Sequence, residues 1–147
     1  MLALKYYVTF LIDEPIFISG KVKEVLKNYE SQCSKLFSIP YLTCSKLFSI
    51  PTRDISNTYD GTFETLSTSQ FYKFIQDILN VLPEDKRQSL EIYIDGKKVD
   101  SLSIELLEYY RDLKAKDKYF SIDFYFNKEY NFYYMKLGVF PIVVDLF

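Results

Sequence analysis

The side chains that could carry chemistry in this 147-residue chain are carboxylates and thiols, because the sequence contains no histidine. Histidine is the side chain whose ordinary pKa lies closest to neutral pH, so its absence removes Ser-His-Asp and Cys-His catalytic groups. It also removes the imidazole ligands of catalytic zinc. Residue type alone therefore excludes most hydrolases and acyl transferases.

Carboxylate chemistry remains open, since two acids can cleave a glycosidic bond and oxygen ligands alone can hold magnesium. The acids close in sequence are Asp13 with Glu14, Glu84 with Asp85, and Glu105 with Glu108 and Asp112. The last three are spaced by three and four residues, so on a helix they share one face. We expect a solvated face there and polar turns at the other two groups. Four glycines stand singly and form no phosphate-binding loop, so we predict no catalytic residue, cofactor or metal ligand.

An eight-residue segment, Cys-Ser-Lys-Leu-Phe-Ser-Ile-Pro, occupies positions 33–40 and recurs at 44–51. The proline that ends each copy excludes a helical repeat, and two copies are too few for a solenoid. We interpret 33–51 as a tolerated insertion or a hairpin, because lengthening a surface loop costs little free energy. Cys33 and Cys44 occupy equivalent positions in the two copies, and we expect free thiols in a reducing compartment.

Tyrosine is the most suggestive feature of the composition, with 14 tyrosines, 13 phenylalanines and no tryptophan. From position 119 to 127 the residues alternate, with phenylalanine and isoleucine on one face and Tyr119, Asp123 and Tyr125 on the other. Tyr93 also points away from the apolar face of its own predicted strand. Tyrosine beside a carboxylate is a composition that protein interfaces favour. The alternative is that a helix covers this face and the hydroxyl groups bind internal partners.

The hydrophobic pattern places these residues in a single α+β domain spanning 1–147. It predicts strands over 4–12, 90–95, 119–127, 130–137 and 139–147, short edge strands inside the octets, a polar loop over 52–68, and helices over 20–29, 69–82 and from position 100 or 101 to 113. Ser67 with Gln70 fits a capping box for the second helix. We expect a mixed or mainly antiparallel sheet of five to six strands, with two to three helices packed on one face.

Charge and hydropathy narrow the function. Twenty acids against 18 bases give a formal charge of −2 with no basic face, which argues against nucleic-acid binding. No apolar run reaches membrane-spanning length and no export signal is visible, so we expect a cytoplasmic protein that does not bind membranes.

These observations favour a small acidic module that binds a basic enzyme and acts by covering its surface. We expect an inhibitor or an immunity protein that neutralises a toxin or foreign enzyme such as a nuclease. The predicted contact residues are Tyr93, Glu105, Glu108, Asp112, Tyr119, Asp123 and Tyr125. The alternatives are an enzyme that uses carboxylates alone, with or without magnesium, and a structural module that forms a homodimer through a sheet edge at 139–147.

Overall fold

The computed structural model of the chain describes residues 2–15, 20–39, 57–115 and 118–145. In chain order the elements are β1 (Leu2–Glu14), α1 (Lys21–Lys27), a 3-10 turn (Glu30–Gln32), β2 (Cys33–Ile39), β3 (Asn57–Thr65), α2 (Thr68–Leu79), α3 (Glu84–Gln88), β4 (Glu91–Ile94), β5 (Lys97–Val99), α4 (Ile104–Leu113), β6 (Phe120–Asn127) and β7 (Phe132–Asp145). The seven described strands form one sheet in the order β2-β3-β1-β7-β6-β4-β5, and each neighbouring pair is antiparallel. The predicted α+β class is confirmed, with one strand more than the expected range.

The hydrophobic core lies between one face of this sheet and the helices. Alternate residues of β1, among them Val8, Phe10 and Ile12, point into it and are buried. The intervening residues point to the opposite face, which we call the second face. A small separate cluster lies there, in which Leu11 contacts Tyr125 and Tyr133, and its members all come from strands.

Helix α2 is the main cover of the core face. Its buried residues recur at helical spacing: Phe71, Phe74, Ile75 and Ile78. Fully burying side chains of this size stabilises the fold by about 1.5–3 kcal/mol each. The predicted cap is confirmed, since the Ser67 hydroxyl accepts a hydrogen bond from the Gln70 amide at 3.2 Å.

Strand β3 corrects the prediction of a loop over 52–68. It pairs with β1 along its whole length, from Glu14 opposite Asn57 to Tyr6 opposite Thr65. The alternation was hard to detect because only Tyr59 and Phe63 are large core residues in this strand. In addition, Asp60 and Gly61 form a dipeptide typical of turns. Strand pairing on both sides outweighs that local preference.

Strand β7 corrects a second prediction, that of two strands separated at Gly138. It is continuous and lies inside the sheet, paired with β1 and with β6. Gly138 opposes Thr9, and a Cβ atom at Gly138 would lie 2.8 Å from the Thr9 hydroxyl oxygen. Close approach of the neighbouring side chain, and not a turn, therefore accounts for the glycine.

Residues 33–39 of the first octet form the edge strand β2, as predicted for its apolar run. The second octet and Cys44 lie outside the described residues. Cys33 is a free thiol. Burial, with a smaller effect from the nearby Glu30 carboxylate, raises the pKa of Cys33 to about 11, so this thiol is neutral at neutral pH and a poor nucleophile.

Candidate functional site

Helix α4 carries Glu105, Glu108 and Asp112, the three acids that the sequence predicts on one helical face. Its cap is Ser103, whose hydroxyl accepts a hydrogen bond from the Leu106 amide at 3.1 Å. Leu107 and Tyr110 face the core, and the Tyr110 ring packs on Phe120 with centroids 5.5 Å apart. The orientation of the whole helix follows from these two buried contacts.

The outward face of α4 carries a stripe of acids and large apolar side chains. We call this the α4 stripe, and its members are Glu105, Glu108, Tyr109, Asp112 and Leu113. Tyr109 is 59% exposed and Leu113 is 58% exposed. From the sequence, Tyr109 and Leu113 are predicted to share one apolar stripe with Leu102 and Leu106, and Asp100 or Ser101 is the predicted cap of this helix. Both predictions are wrong, because Leu102 is buried while Tyr109 and Leu113 are exposed, and Ser103 is the cap. The actual cap lies two or three residues later, and the buried face includes Leu107 and Tyr110 instead.

Arg111 is the cation beside this stripe. Its guanidinium lies 3.5 Å from the Glu108 carboxylate and 3.0 Å from that of Asp112. It also donates a hydrogen bond to the Thr68 hydroxyl at 3.3 Å, which holds its side chain against α2. The stripe therefore has three carboxylates, while Arg111 contributes one positive charge, and its net charge is negative.

On the second face of the sheet, three other predicted residues meet. Cross-strand pairing sets Tyr93 opposite Asp123, and the rings of Tyr93 and Tyr125 lie 5.7 Å apart. The Lys128 ammonium lies 4.0 Å from the centre of the Tyr93 ring. Lys136 donates a hydrogen bond to the Tyr125 hydroxyl at 2.8 Å. We call this group the sheet cluster.

The hydroxyl groups of Tyr93 and Tyr125 form hydrogen bonds with other side chains of the protein. Tyr125 is only 6% exposed, and the Tyr93 hydroxyl donates to the Glu91 carboxylate at 3.2 Å. The sequence left open that the tyrosine hydroxyl groups on this face bind internal partners under a covering helix. The internal partners are present, but the described helices lie on the other face of the sheet. Burial raises the pKa of Asp123, and the nearby Lys136 ammonium only partly offsets this effect. Lys98 forms an ion pair with Glu91 at 2.9 Å. The cluster therefore contains three lysines (Lys98, Lys128 and Lys136) and two carboxylates (Glu91 and Asp123).

Tyr119 lies on the same sheet face but far along it, just before β6 begins. It is 61% exposed, and its ring packs on Phe140 with centroids 5.4 Å apart. Beside Phe140 is a shallow pocket of about 310 Å³, which Tyr7, Lys118 and Ile142 help to line. Tyr119 therefore belongs to an apolar surface and not to the sheet cluster.

The seven predicted contact residues are thus divided between two faces of the molecule. Glu105, Glu108 and Asp112 lie on the helical side, and Tyr93, Tyr119, Asp123 and Tyr125 lie on the second face of the sheet. Sequence reasoning missed Tyr109 and Leu113 as surface residues. The signal that could have found them is the pair Leu107 and Tyr110, which are three residues apart and form the buried face of α4, so that Tyr109 and Leu113 face outward.

The other two acid groups have structural roles. Asp13 and Glu14 end β1 and are buried, so the expected polar turn is wrong. The Glu14 carboxylate accepts hydrogen bonds from the Tyr59 hydroxyl at 2.8 Å and from the amides of Lys21 and Val22 at 2.9 and 3.4 Å. Glu84 and Asp85 form the first turn of α3 and not an isolated turn.

Within the described ranges, no three cysteine, aspartate or glutamate residues are grouped so that they could hold a metal ion. The helices of those ranges are too short or too polar to cross a membrane. Comparison of the chain with protein-family models, with curated proteins and with solved structures finds no match.

Proposed function

We propose that this protein binds a basic protein through the α4 stripe and acts by covering the surface it binds. The class of function is that of an inhibitor or immunity protein directed against a toxin or a foreign enzyme such as a nuclease. The observation that carries the proposal is the sharing of one helical face by three acids, an exposed tyrosine and an exposed leucine.

Charge favours the α4 stripe over the sheet cluster as the contact surface. The stripe has more carboxylates than cations, whereas the sheet cluster has more lysines than carboxylates. Complementary charge steers the encounter of two proteins and suppresses wrong partners. A basic partner is therefore attracted to α4.

Exposed apolar area is the second support. A few residues usually contribute most of the binding free energy of a protein interface. Tyrosine is frequent among them, and such residues fill pockets on the partner. Tyr109 and Leu113 are four residues apart, so on the helix they are neighbours, and the acids flank them. An apolar centre with a charged rim is the usual anatomy of a protein interface.

Three tyrosines of nearly equal exposure allow a controlled test. Tyr109 lies on α4, Tyr119 on the second face, and Tyr130 in the β6–β7 turn, with exposures of 59, 61 and 59%. A tagged protein is used to capture partners from an extract of the native host, and binding of each purified partner to the alanine variants is measured by calorimetry. We expect Tyr109→Ala to weaken binding by about 30-fold or more, the range of an interface hot spot, and Tyr130→Ala to leave it unchanged.

The same comparison can reject the proposal. A loss of binding in Tyr119→Ala with none in Tyr109→Ala would assign the contact to the second face. Equal affinities for all three variants, or a captured partner with an acidic surface, would exclude α4 as the contact. Circular dichroism of each variant checks that the fold is retained.

A further inference from the structure

The sheet ends in a two-stranded ribbon, which comprises residues 2–5 of β1 and 142–145 of β7. Leu2 pairs with Asp145 at its tip, and Lys5 pairs with Ile142 at its base. Strand β3 accompanies β1 only from Tyr6 onwards, and β6 accompanies β7 only as far as Val139. Among the described residues, no third strand pairs with this ribbon.

Both faces of the ribbon expose apolar side chains. Leu2 and Val143 are 71 and 50% exposed on the side of the helices, and Ile142 is 39% exposed on the second face beside Phe140. An isolated two-stranded ribbon is at best marginally stable in water. Contiguous exposed apolar surface usually marks a contact with another molecule. We therefore interpret the ribbon as a part of the sheet that lacks a neighbouring strand.

The outer edge of β7 is the side on which the sheet can grow. Ile142, Val143 and Val144 are β-branched residues, which favour strand pairing. The edge of β1 is different, because Lys5 lies there in an ion pair with Glu64 at 3.4 Å. The edge strand β5 is three residues long and begins with two lysines, a usual guard against strand addition.

We propose that a second copy of this chain pairs antiparallel with the outer edge of β7 and so forms a symmetric dimer with a continuous sheet. Residues opposite each other in antiparallel strands share a face. A two-fold axis at Val143 therefore sets Val143 against itself, Ile142 against Val144, and Pro141 against Asp145.

A second copy fits the ribbon better than an unrelated protein surface does. An identical strand added edge to edge pairs with the backbone groups on the free edge of β7, and it places β-branched side chains of the two copies beside one another on both faces. Antiparallel pairing of a segment with itself satisfies the requirement of a two-fold interface, in which the same patch is used by both subunits. The inference uses no residue of the α4 stripe.

Sedimentation velocity over a range of protein concentrations tests the dimer. We expect a species of twice the monomer mass that dissociates on dilution. Val143→Glu places two like charges across the axis and should raise the dissociation constant by roughly 100-fold or more. The control is Tyr130→Glu, at a residue of similar exposure (59%) in the β6–β7 turn at the other end of β7, which should leave the dimer unchanged. Thermal unfolding of both variants shows whether each subunit remains folded.

Cross-linking tests the register. In a Cys33→Ser, Cys44→Ser background, we expect Val143→Cys to form a disulfide-linked dimer under mild oxidation, because the two residues face each other across the axis. Ile142→Cys should form little, since its opposite residue is Val144. A monomer at every concentration would overturn the proposal. So would a dimer that persists in Val143→Glu, because a different surface would then hold the two copies together.

Discussion

At the scale of single residues, the buried carboxylate of Glu14 organises the junction between β1, α1 and β3. It accepts from the Tyr59 hydroxyl and from two backbone amides at the start of α1. The sequence did not reveal this role, because Asp-Glu-Pro is typical of a turn and the partners lie 7, 8 and 45 residues away. Residues whose role depends on distant partners are those that periodicity cannot identify.

We therefore expect Glu14→Ala to be strongly destabilising. Removing the acceptor leaves a buried hydroxyl and amide groups without their partner, which should cost about 2–4 kcal/mol of unfolding free energy. Tyr59→Phe removes one of the three bonds and should cost about 1 kcal/mol. Urea denaturation measures both variants. Equal losses in the two would show that the amide contacts contribute little.

Asp123 makes stability depend on pH in the direction opposite to most carboxylates. Burial raises its pKa, so the folded protein holds this proton more tightly than the unfolded chain, and ionisation of Asp123 lowers stability as the pH rises through the folded pKa. We expect Asp123→Asn to raise the melting temperature relative to the native chain at pH 7. The difference should shrink as the pH falls towards about 4, the range in which an unfolded aspartate is protonated. A difference that stays constant across this range would mean that burial does not control the carboxyl.

At the scale of elements, the helices and strands that were predicted correctly are those with a strong local pattern of apolar, capping or turn residues. Helix α2 was predicted because its large apolar residues recur at helical spacing, Phe71, Phe74, Ile75 and Ile78 among them, and the capping box agrees with this pattern. The dipeptide Asp95-Gly96 is typical of a turn, and it forms the turn between β4 and β5 with φ angles of 52° and 82°. Strand β3 was missed because it has few apolar residues and is held by β1 and β2. Helix α4 was predicted in the right place with the wrong cap and the wrong apolar stripe, and the error in the stripe concealed its exposed face.

The two candidate caps of α4 give a direct check. Ser103→Ala removes the hydroxyl that accepts from the Leu106 amide, and we expect a loss of about 1 kcal/mol. Ser101→Ala, at the position first suggested by the sequence, is exposed and should change stability by less than about 0.5 kcal/mol. Chemical denaturation of the two variants decides between the caps. A larger loss at position 101 would place the start of the helix earlier than Ile104 and contradict the assignment of Ser103 as the cap.

At the scale of the whole molecule, the sheet separates two surfaces with different chemistry. The helical side presents an acidic stripe with exposed apolar residues, and the second face presents lysines around buried tyrosines together with a separate apolar area near Tyr119. Composition predicted an acidic, tyrosine-containing contact surface, but topology decides which of those residues lie together. A dimer through the β7 edge would carry two α4 stripes and could bind two partner molecules.

Charge neutralisation at matched sites tests the central claim most directly. One variant combines Glu105→Gln, Glu108→Gln and Asp112→Asn on α4, and a second combines Glu84→Gln, Asp85→Asn and Glu129→Gln, which are exposed and lie on α3 and in the β6–β7 turn. Both lose the same net charge, so only the position of the charges differs. The measurement is the dissociation constant of the captured basic partner as a function of salt concentration.

We expect the native chain and the α3 variant to bind more weakly as salt increases, because screening reduces the attraction between exposed charges. The α4 variant should bind more weakly at low salt and respond little to added salt. If the α4 variant keeps the affinity and salt dependence of the native chain, the α4 stripe is not the contact surface and the proposed function loses its main support.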